Sequence, residues 1–142
     1  MNGMKFRVWL SESEVMIYPE DRGTPFVLSI EEGWVRRIDF DPKTQRYNLC
    51  SINEPYTILF STMYQDRNGK EIFEGDIIKD TIYGDYYLIQ FDPTKGFYGV
   101  QLPNFSEERG INYLAPRVIV VGNIKEHFEM FQSLKQKEVK NE

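Results

Sequence analysis

The segment Lys5-Phe6-Arg7-Val8-Trp9-Leu10 alternates, with Phe6, Val8 and Leu10 on one side. That period of two predicts a half-buried strand. Residues 11–14 are polar and turn-prone, and Val15-Met16-Ile17-Tyr18 reads as the returning strand. A loop rich in Pro, Gly and Asp follows over 19–25, then strands over 26–30 and 34–40 joined through Glu31-Glu32-Gly33. Residues 57–64 and 75–83 are strand-like, being rich in β-branched and aromatic side chains. Between them stands Asp66-Arg67-Asn68-Gly69, whose Asn-Gly pair accepts positive φ at low cost and is a strong turn signal.

A clear hairpin comes next. Tyr87, Ile89 and Phe91 share one face, Asp92-Pro93-Thr94-Lys95-Gly96 makes the loop, and residues 97–102 return with Tyr98, Val100 and Leu102 on one face. Residues 117–122 form a nearly continuous apolar run, as expected of a central strand covered on both sides. A helix is predicted from about 126 to 138, with Ile124, Phe128, Phe131 and Leu134 as one stripe. So short a helix is marginal alone, and its stripe must dock on the sheet or on another subunit. One echo runs through the chain: Asp41-Pro42 and Asp92-Pro93 are each preceded by an aromatic-containing strand end and followed by a tyrosine, Tyr47 or Tyr98. Asp capping a turn in which Pro presets φ is the first reading of it, with an ancient duplication or paired binding loops as the alternative.

Composition narrows the function classes. The 142 residues fit one domain, and 41% apolar with 27% charged residues is a globular balance. An aromatic share of 15% favours strands. The net charge of −5 gives no global footprint for nucleic acid, whose affinity rests on neutralising phosphates with Lys and Arg. The lone cysteine, Cys50, permits no intrachain disulfide. The opening residues lack the apolar core of a signal peptide, and no stretch reaches the roughly 18 apolar residues that span a bilayer, so a cytoplasmic protein without membrane contact is expected. Asn104-Phe105-Ser106 fits the glycosylation triplet by chance in such a compartment.

Zinc fails on ligand count, because His127 and Cys50 are single. The acidic loop at Asp66 places Gly69 fourth, where a calcium-binding EF-hand loop needs glycine sixth. A Cys-His nucleophile could come only from Cys50 and His127, and Cys50 beside Leu49 reads as a small hydrophobe. No phosphate-binding glycine loop or nucleophile elbow occurs, and no catalytic residue, metal or cofactor is assigned. The carboxylates Glu71, Glu74, Asp76 and Asp80 could in principle do acid–base work. Geometry explains them first: Gly75 supplies an unusual backbone conformation and Asp76 bonds backbone N–H groups, so Asn68, Gly69, Gly75 and Asp76 are turn residues. A basic-aromatic patch gathers Trp34, Arg36, Arg37, Lys43, Arg46 and Tyr47, with four positive and two negative charges over 34–47. Tyr or Trp beside Arg can hold single-stranded nucleic acid, and strand pairing explains the same residues.

Three blocks resemble the YopX-type proteins of bacteriophages and prophages. They are Lys5-Phe6-Arg7-Val8-Trp9 with Met16-Ile17-Tyr18, then Asp66-Arg67-Asn68-Gly69-Lys70-Glu71-Ile72-Phe73-Glu74-Gly75-Asp76-Ile77-Ile78, then Val120-Val121-Gly122-Asn123-Ile124. Residues 19–56 and 103–116 lie outside the likeness. The family pattern has Thr-Gly-Leu before its turn, where this chain has Thr62-Met63-Tyr64, so a changed local bend is expected. The resemblance implies an accessory protein of a bacterial host's cytoplasm, mostly β, with a core like an SH3-like β-barrel. The expected layout is one domain: a barrel core over about 57–125 plus strands at 4–18, an insertion at 19–56 and the C-terminal helix. The leading functional expectation is a non-enzymatic, self-associating interaction module that binds itself or another phage or host protein. Its contact surface is expected at Tyr86 and Leu88, on the face opposite Tyr87 and Ile89, and at Phe128, Phe131 and Leu134. Two alternatives stand beside it: a nucleic-acid module using Trp34, Arg36, Arg37, Arg46 and Tyr47, and an enzyme built on the carboxylates from Glu71 to Asp80.

Overall fold

The computed structural model describes residues 5–18, 26–29, 34–105 and 107–136. Its chain divides into two units: Phe6–Ile58, and Leu59–Glu142 with Met1–Lys5. By this division the two N-terminal strands fall in the same unit as the 19–56 stretch. Two anchors within the first unit account for this. The Ser11 amide donates to the Pro55 carbonyl at 3.0 Å, and the Glu54 carboxylate accepts the Glu12 and Ser13 amides at 2.9 and 2.7 Å.

In the first unit β1 (Phe6–Leu10) and β2 (Val15–Ile17) pair antiparallel, Trp9 opposite Met16. Alternation predicts one buried face, yet Phe6, Arg7, Val8 and Trp9 are all buried. Arg7 at 3% exposure keeps a polar contact there, its Nη1 donating to the Tyr18 hydroxyl at 3.3 Å. Strands β3 (Phe26–Ser29), β4 (Trp34–Asp41) and β5 (Arg46–Ser51) form a separate antiparallel sheet in that order. The sequence pattern does not announce β5.

The second unit contains most of β6 (Tyr56–Gln65), then β7 (Glu71–Phe73), β8 (Asp76–Asp80), β9 (Tyr86–Asp92), β10 (Gly96–Leu102) and β11 (Glu108–Gly110). A single-turn helix α1 (Ile111–Leu114), a 3-10 turn, β12 (Val118–Asn123) and helix α2 (Phe128–Gln136) complete it. Five strands make one antiparallel sheet, in the order β11-β10-β9-β8-β12. Neither β11 nor α1 is anticipated by the sequence pattern. The predicted helix extends to 138, and its last two residues lie outside the described ones.

This sheet is covered on both faces. Ile78, Tyr87, Ile89 and Val118 pack with Ile72, Ile111 and Leu114, while Ile77, Leu88 and Leu102 pack with Phe131 and Leu134 of α2. Consecutive residues such as Ile77 and Ile78 are thus both fully buried. Burying each such side chain contributes about 1.5–3 kcal/mol. This corrects the predicted contact surface. Leu88 is 4% exposed, and Tyr86 packs at the margin of the same cluster. The two halves of the expected interface, Tyr86 with Leu88 and Phe131 with Leu134, cover one another within the chain. A sheet buried on both faces gives period-two reasoning no outside to assign.

One close approach fixes the packing of α1 on β10. A Cβ on Gly99 would lie 2.6 Å from Leu114 Cδ1 and 3.0 Å from Tyr87 Cβ, so a glycine lets α1 rest on β10. The predicted central strand is also corrected: β12 lies at the sheet's margin, where the Arg67 amide donates to the Val118 carbonyl at 2.8 Å.

Candidate interaction surface

The turns come first, because they decide what the carboxylates do. Asp66 Oδ1 accepts the Asn68 and Lys70 amides, each at 2.8 Å, and Gly69 takes φ +86°. Its other oxygen accepts the Val120 amide at 2.8 Å, fastening the turn to β12. Asp76, 1% exposed, accepts the Phe73 amide at 2.7 Å across Gly75, whose φ is +89°. The Gly75 amide donates to the Ile89 carbonyl and its carbonyl accepts the Ile124 amide, both at 2.8 Å. Glu71 accepts the Ser61 hydroxyl and lies 3.9 Å from the Lys5 ammonium. Glu74 accepts the Phe60 amide at 3.4 Å. These carboxylates hold strand ends and turns as hydrogen-bond acceptors. Among the described residues no three His, Cys, Asp or Glu side chains are grouped to hold a metal ion. His127 Nδ1 accepts the Asn123 amide at 3.1 Å, and Cys50 sits opposite Arg37 in the β4–β5 ladder.

The third buried carboxylate builds something different. Asp80 is 2% exposed and ends β8, and its Oδ1 accepts the amides of Ile82 and Tyr83 at 2.8 and 3.3 Å. Gly84 at φ +79° closes this turn. The turn holds Ile82 at 61% and Tyr83 at 73% exposure, although the sequence pattern had placed both inside a strand. Asp80 Oδ2 accepts Arg117 Nε at 3.1 Å. The guanidinium lies 5.2 Å from the Tyr83 ring and 4.8 Å from that of Tyr113, and its Nη1 donates to the Tyr113 hydroxyl at 2.7 Å. Arg67 Nη1 reaches the Thr81 hydroxyl at 2.8 Å, and that hydroxyl donates to the Arg117 carbonyl at the same distance.

The charge on Arg117 is secured. Burial works against it, but the bond and attraction from Asp80, joined by the Tyr113 and Tyr83 phenols, outweigh that and raise its pKa. Tyr87 lies within the same field: burial, then the Asp85 carboxylate, push its phenol above the ordinary value, while Arg109 pulls it down. The result is a cation flanked by two tyrosine rings, next to a turn that leaves Ile82 exposed.

The predicted basic-aromatic patch does not gather on one surface. Adjacent strand positions face opposite ways, and the register sets Tyr47 opposite Phe40 and Arg46 opposite Asp41. Arg36 and Tyr47 therefore share one face of the hairpin, and Arg37 and Arg46 the other. Trp34 lies in β4, outside the described side chains. Of the predicted helix stripe, Phe128 stays 50% exposed, its ring centroid 6.1 Å from that of Phe131. Sequence reasoning missed Tyr83, Tyr113 and Arg117. An Asp followed four residues later by Gly, as in Asp80-Thr81-Ile82-Tyr83-Gly84, was the turn signal that could have released Tyr83 from the strand.

The Thr62-Met63-Tyr64 departure also resolves. Met63 takes φ +65° within an irregularity of β6, its amide donating to the Ser61 hydroxyl at 2.8 Å. A methionine rather than a glycine therefore stands in the left-handed region here.

Among solved structures, the chain is similar to protein EF1440 from Enterococcus faecalis, with 25% identity and a TM-score of 0.60 over 92% of this chain and 99% of that one. It is also similar to protein YopX from Bacillus subtilis, with 18% identity and a TM-score of 0.61 over 91% and 98%. No curated protein matches it by sequence. Among the described residues no helix is long and apolar enough to cross a membrane. The YopX protein family matches residues 5–132, nearly the whole chain, and the chain belongs to that family.

Proposed function

We propose that this chain is a non-enzymatic accessory protein of phage or prophage origin, working in the host cytoplasm as a protein-interaction module. The strand order β11-β10-β9-β8-β12 and the Glu74-Gly75-Asp76 turn feeding β8 support reading its second unit as an SH3-like barrel. One observation carries the functional reading: the Tyr83–Arg117–Tyr113 assembly is held from beneath by Asp80, with Ile82 exposed beside it.

Tyr and Arg dominate the energetically important positions of protein interfaces. Here their geometry is set before any partner arrives, which reduces the ordering cost of association. Protein is favoured over nucleic acid because Asp80 already balances Arg117, Asp85 lies close by, and the chain carries −5 overall. The buried carboxylates favour a binding role over acid–base catalysis, since Asp66, Asp76 and Asp80 are all engaged with backbone amides.

The test compares partner capture from infected or induced host cells by the wild-type chain and by a Tyr83→Ser/Tyr113→Ser variant, beside oligonucleotide anisotropy. A partner held by the wild type and lost from an equally stable variant is expected, with no oligonucleotide binding at physiological salt. Equal capture by both chains, or salt-sensitive oligonucleotide binding, would overturn the reading.

A further inference from the structure

We infer that Arg67 sets the charge of the partner: the segment that docks on the Arg117 face is acidic, its carboxylate held by the Arg67 guanidinium while a neighbouring apolar side chain lies on Ile82 and Tyr83. The inference rests on the reading of that face as a protein-binding surface, and adds the chemistry of the occupant.

The second unit has three arginines, Arg67, Arg109 and Arg117. Arg109 pairs with Glu107 at 3.2 Å and Arg117 with Asp80 at 3.1 Å. Arg67 is exposed and, among the described residues, pairs with no carboxylate. A neutral group holds its side chain instead, Nη1 donating to the Thr81 hydroxyl at 2.8 Å. That hydroxyl donates to the Arg117 carbonyl, and the Arg67 amide donates to the Val118 carbonyl, both at 2.8 Å. Side chain and backbone are thus tied to the turn that carries Ile82 and Tyr83, while the charge stays uncompensated. A guanidinium presents five N–H donors in a rigid fork that fits a carboxylate at two points, and the contact with Thr81 uses one of them.

The acidic groups nearby do not cancel this charge. Asp66, 7% exposed, gives its oxygens to the amides of Asn68, Lys70 and Val120, and Asp80 is bonded to Arg117. Asp85 stands just ahead of β9, Arg67 is bonded to the start of β12, and β8 runs between those two strands. Two strand spacings make about 10 Å, more than the screening length of about 8 Å in physiological salt. A carboxylate seated at Arg67 is therefore little opposed by Asp85. The apolar half of the face is Ile82 and Tyr83, whose amides Asp80 holds in the turn. An acidic residue next to an apolar one matches both halves, whereas a basic segment would bring like charge to Arg67.

Selection of random displayed peptides on the full chain, followed by fluorescence anisotropy with an enriched peptide, tests the inference. The wild type should enrich peptides with Asp or Glu next to an aromatic or branched aliphatic residue. The dissociation constant of such a peptide should rise at least tenfold in Arg67→Glu, and replacing its acidic residue by Lys should reverse that preference. If Arg67→Glu does not fold, Arg67→Gln, which keeps a donor for Thr81 without the charge, decides alone. Peptides lost in Tyr83→Ser/Tyr113→Ser, yet without acidic residues and indifferent to Arg67, would overturn this inference and leave the protein-binding reading standing. Peptides indifferent to both sets of variants, or none enriched at all, would overturn both. Displacement of the peptide by a single-stranded oligonucleotide at physiological salt would assign Arg67 to phosphate and overturn the inference as well.

Discussion

Two hairpins in this chain are built on the same turn chemistry and end in opposite surroundings. In β4–β5, Asp41 Oδ1 accepts the Lys43 amide at 2.9 Å; in β9–β10, Asp92 Oδ1 accepts the Thr94 and Lys95 amides at 2.7 and 3.1 Å. Each turn then needs one residue of positive φ before the strand resumes, Gln45 at +59° in the first and Gly96 at +81° in the second. Beyond the turn the likeness stops. Strand β9 buries Tyr87, Leu88 and Ile89 in succession, covered by α1 on one side and α2 on the other. Strand β5 leaves Tyr47 and Leu49 exposed. A turn is encoded within five residues, whereas burial is decided by whatever packs against the strand from elsewhere.

The sharpest test of that contrast is a matched pair of truncations. Leu88→Ala should lose about 2–5 kcal/mol of stability, because its cavity lies between Ile77, Phe131 and Leu134 and cannot collapse. Leu49→Ala should change monomer stability by less than about 0.5 kcal/mol. Denaturant unfolding at low protein concentration reads both, and equal losses would erase the distinction.

Next comes the reverse change, adding an atom where β10 has no room. Gly99→Ala should cost about 1–3 kcal/mol, since the new methyl meets the fully buried Leu114. Thermal melting that matched the wild type would mean that α1 yields freely.

The turns themselves should differ by less. Gly96→Ala should destabilise by about 1–2 kcal/mol, the cost of a left-handed residue with a Cβ, because open space at Gly96 leaves only the backbone to object. Gln45→Gly and Met63→Gly should each be neutral or gain up to about 1 kcal/mol by the same argument. Denaturation midpoints decide the sign.

The smallest effect is one of pH. The Thr94 amide first, then that of Lys95, holds the Asp92 carboxyl below its ordinary pKa. A depressed folded-state pKa gives stability that is present above the unfolded value and lost as pH falls through the folded one. Melting temperature should therefore fall slightly less between about pH 5 and pH 2 in Asp92→Asn than in the wild type. Identical pH profiles would show that this bond adds nothing.

The sequence made the turns legible because each depends on a few adjacent residues. Asn68-Gly69, Glu74-Gly75-Asp76 and both Asp-Pro loops stand where their chemistry put them. Strand β5 was missed because Arg46-Tyr47-Asn48-Leu49-Cys50-Ser51 has neither a continuous apolar run nor β-branched residues. Tyr86 and Leu88 were misplaced because a sheet covered on both faces carries no period that marks an outside. The Arg117 surface joins residues 80–83, 113 and 117, a proximity made by the pairing of Val118 with Asp80, and nothing local in any of the three segments announces it.

The two oxygens of Asp66 impose an order on folding. One serves amides two and four residues away, and the other serves Val120, 54 positions later in the chain. On a ribosome the first half of this arrangement can form as soon as Lys70 emerges. The second must wait for nearly all of the sheet to be translated, and until then the carboxylate keeps its water on that side. The same residue therefore acts early as a local turn former and late as a latch, and the margin of β12 is covered as soon as that strand arrives.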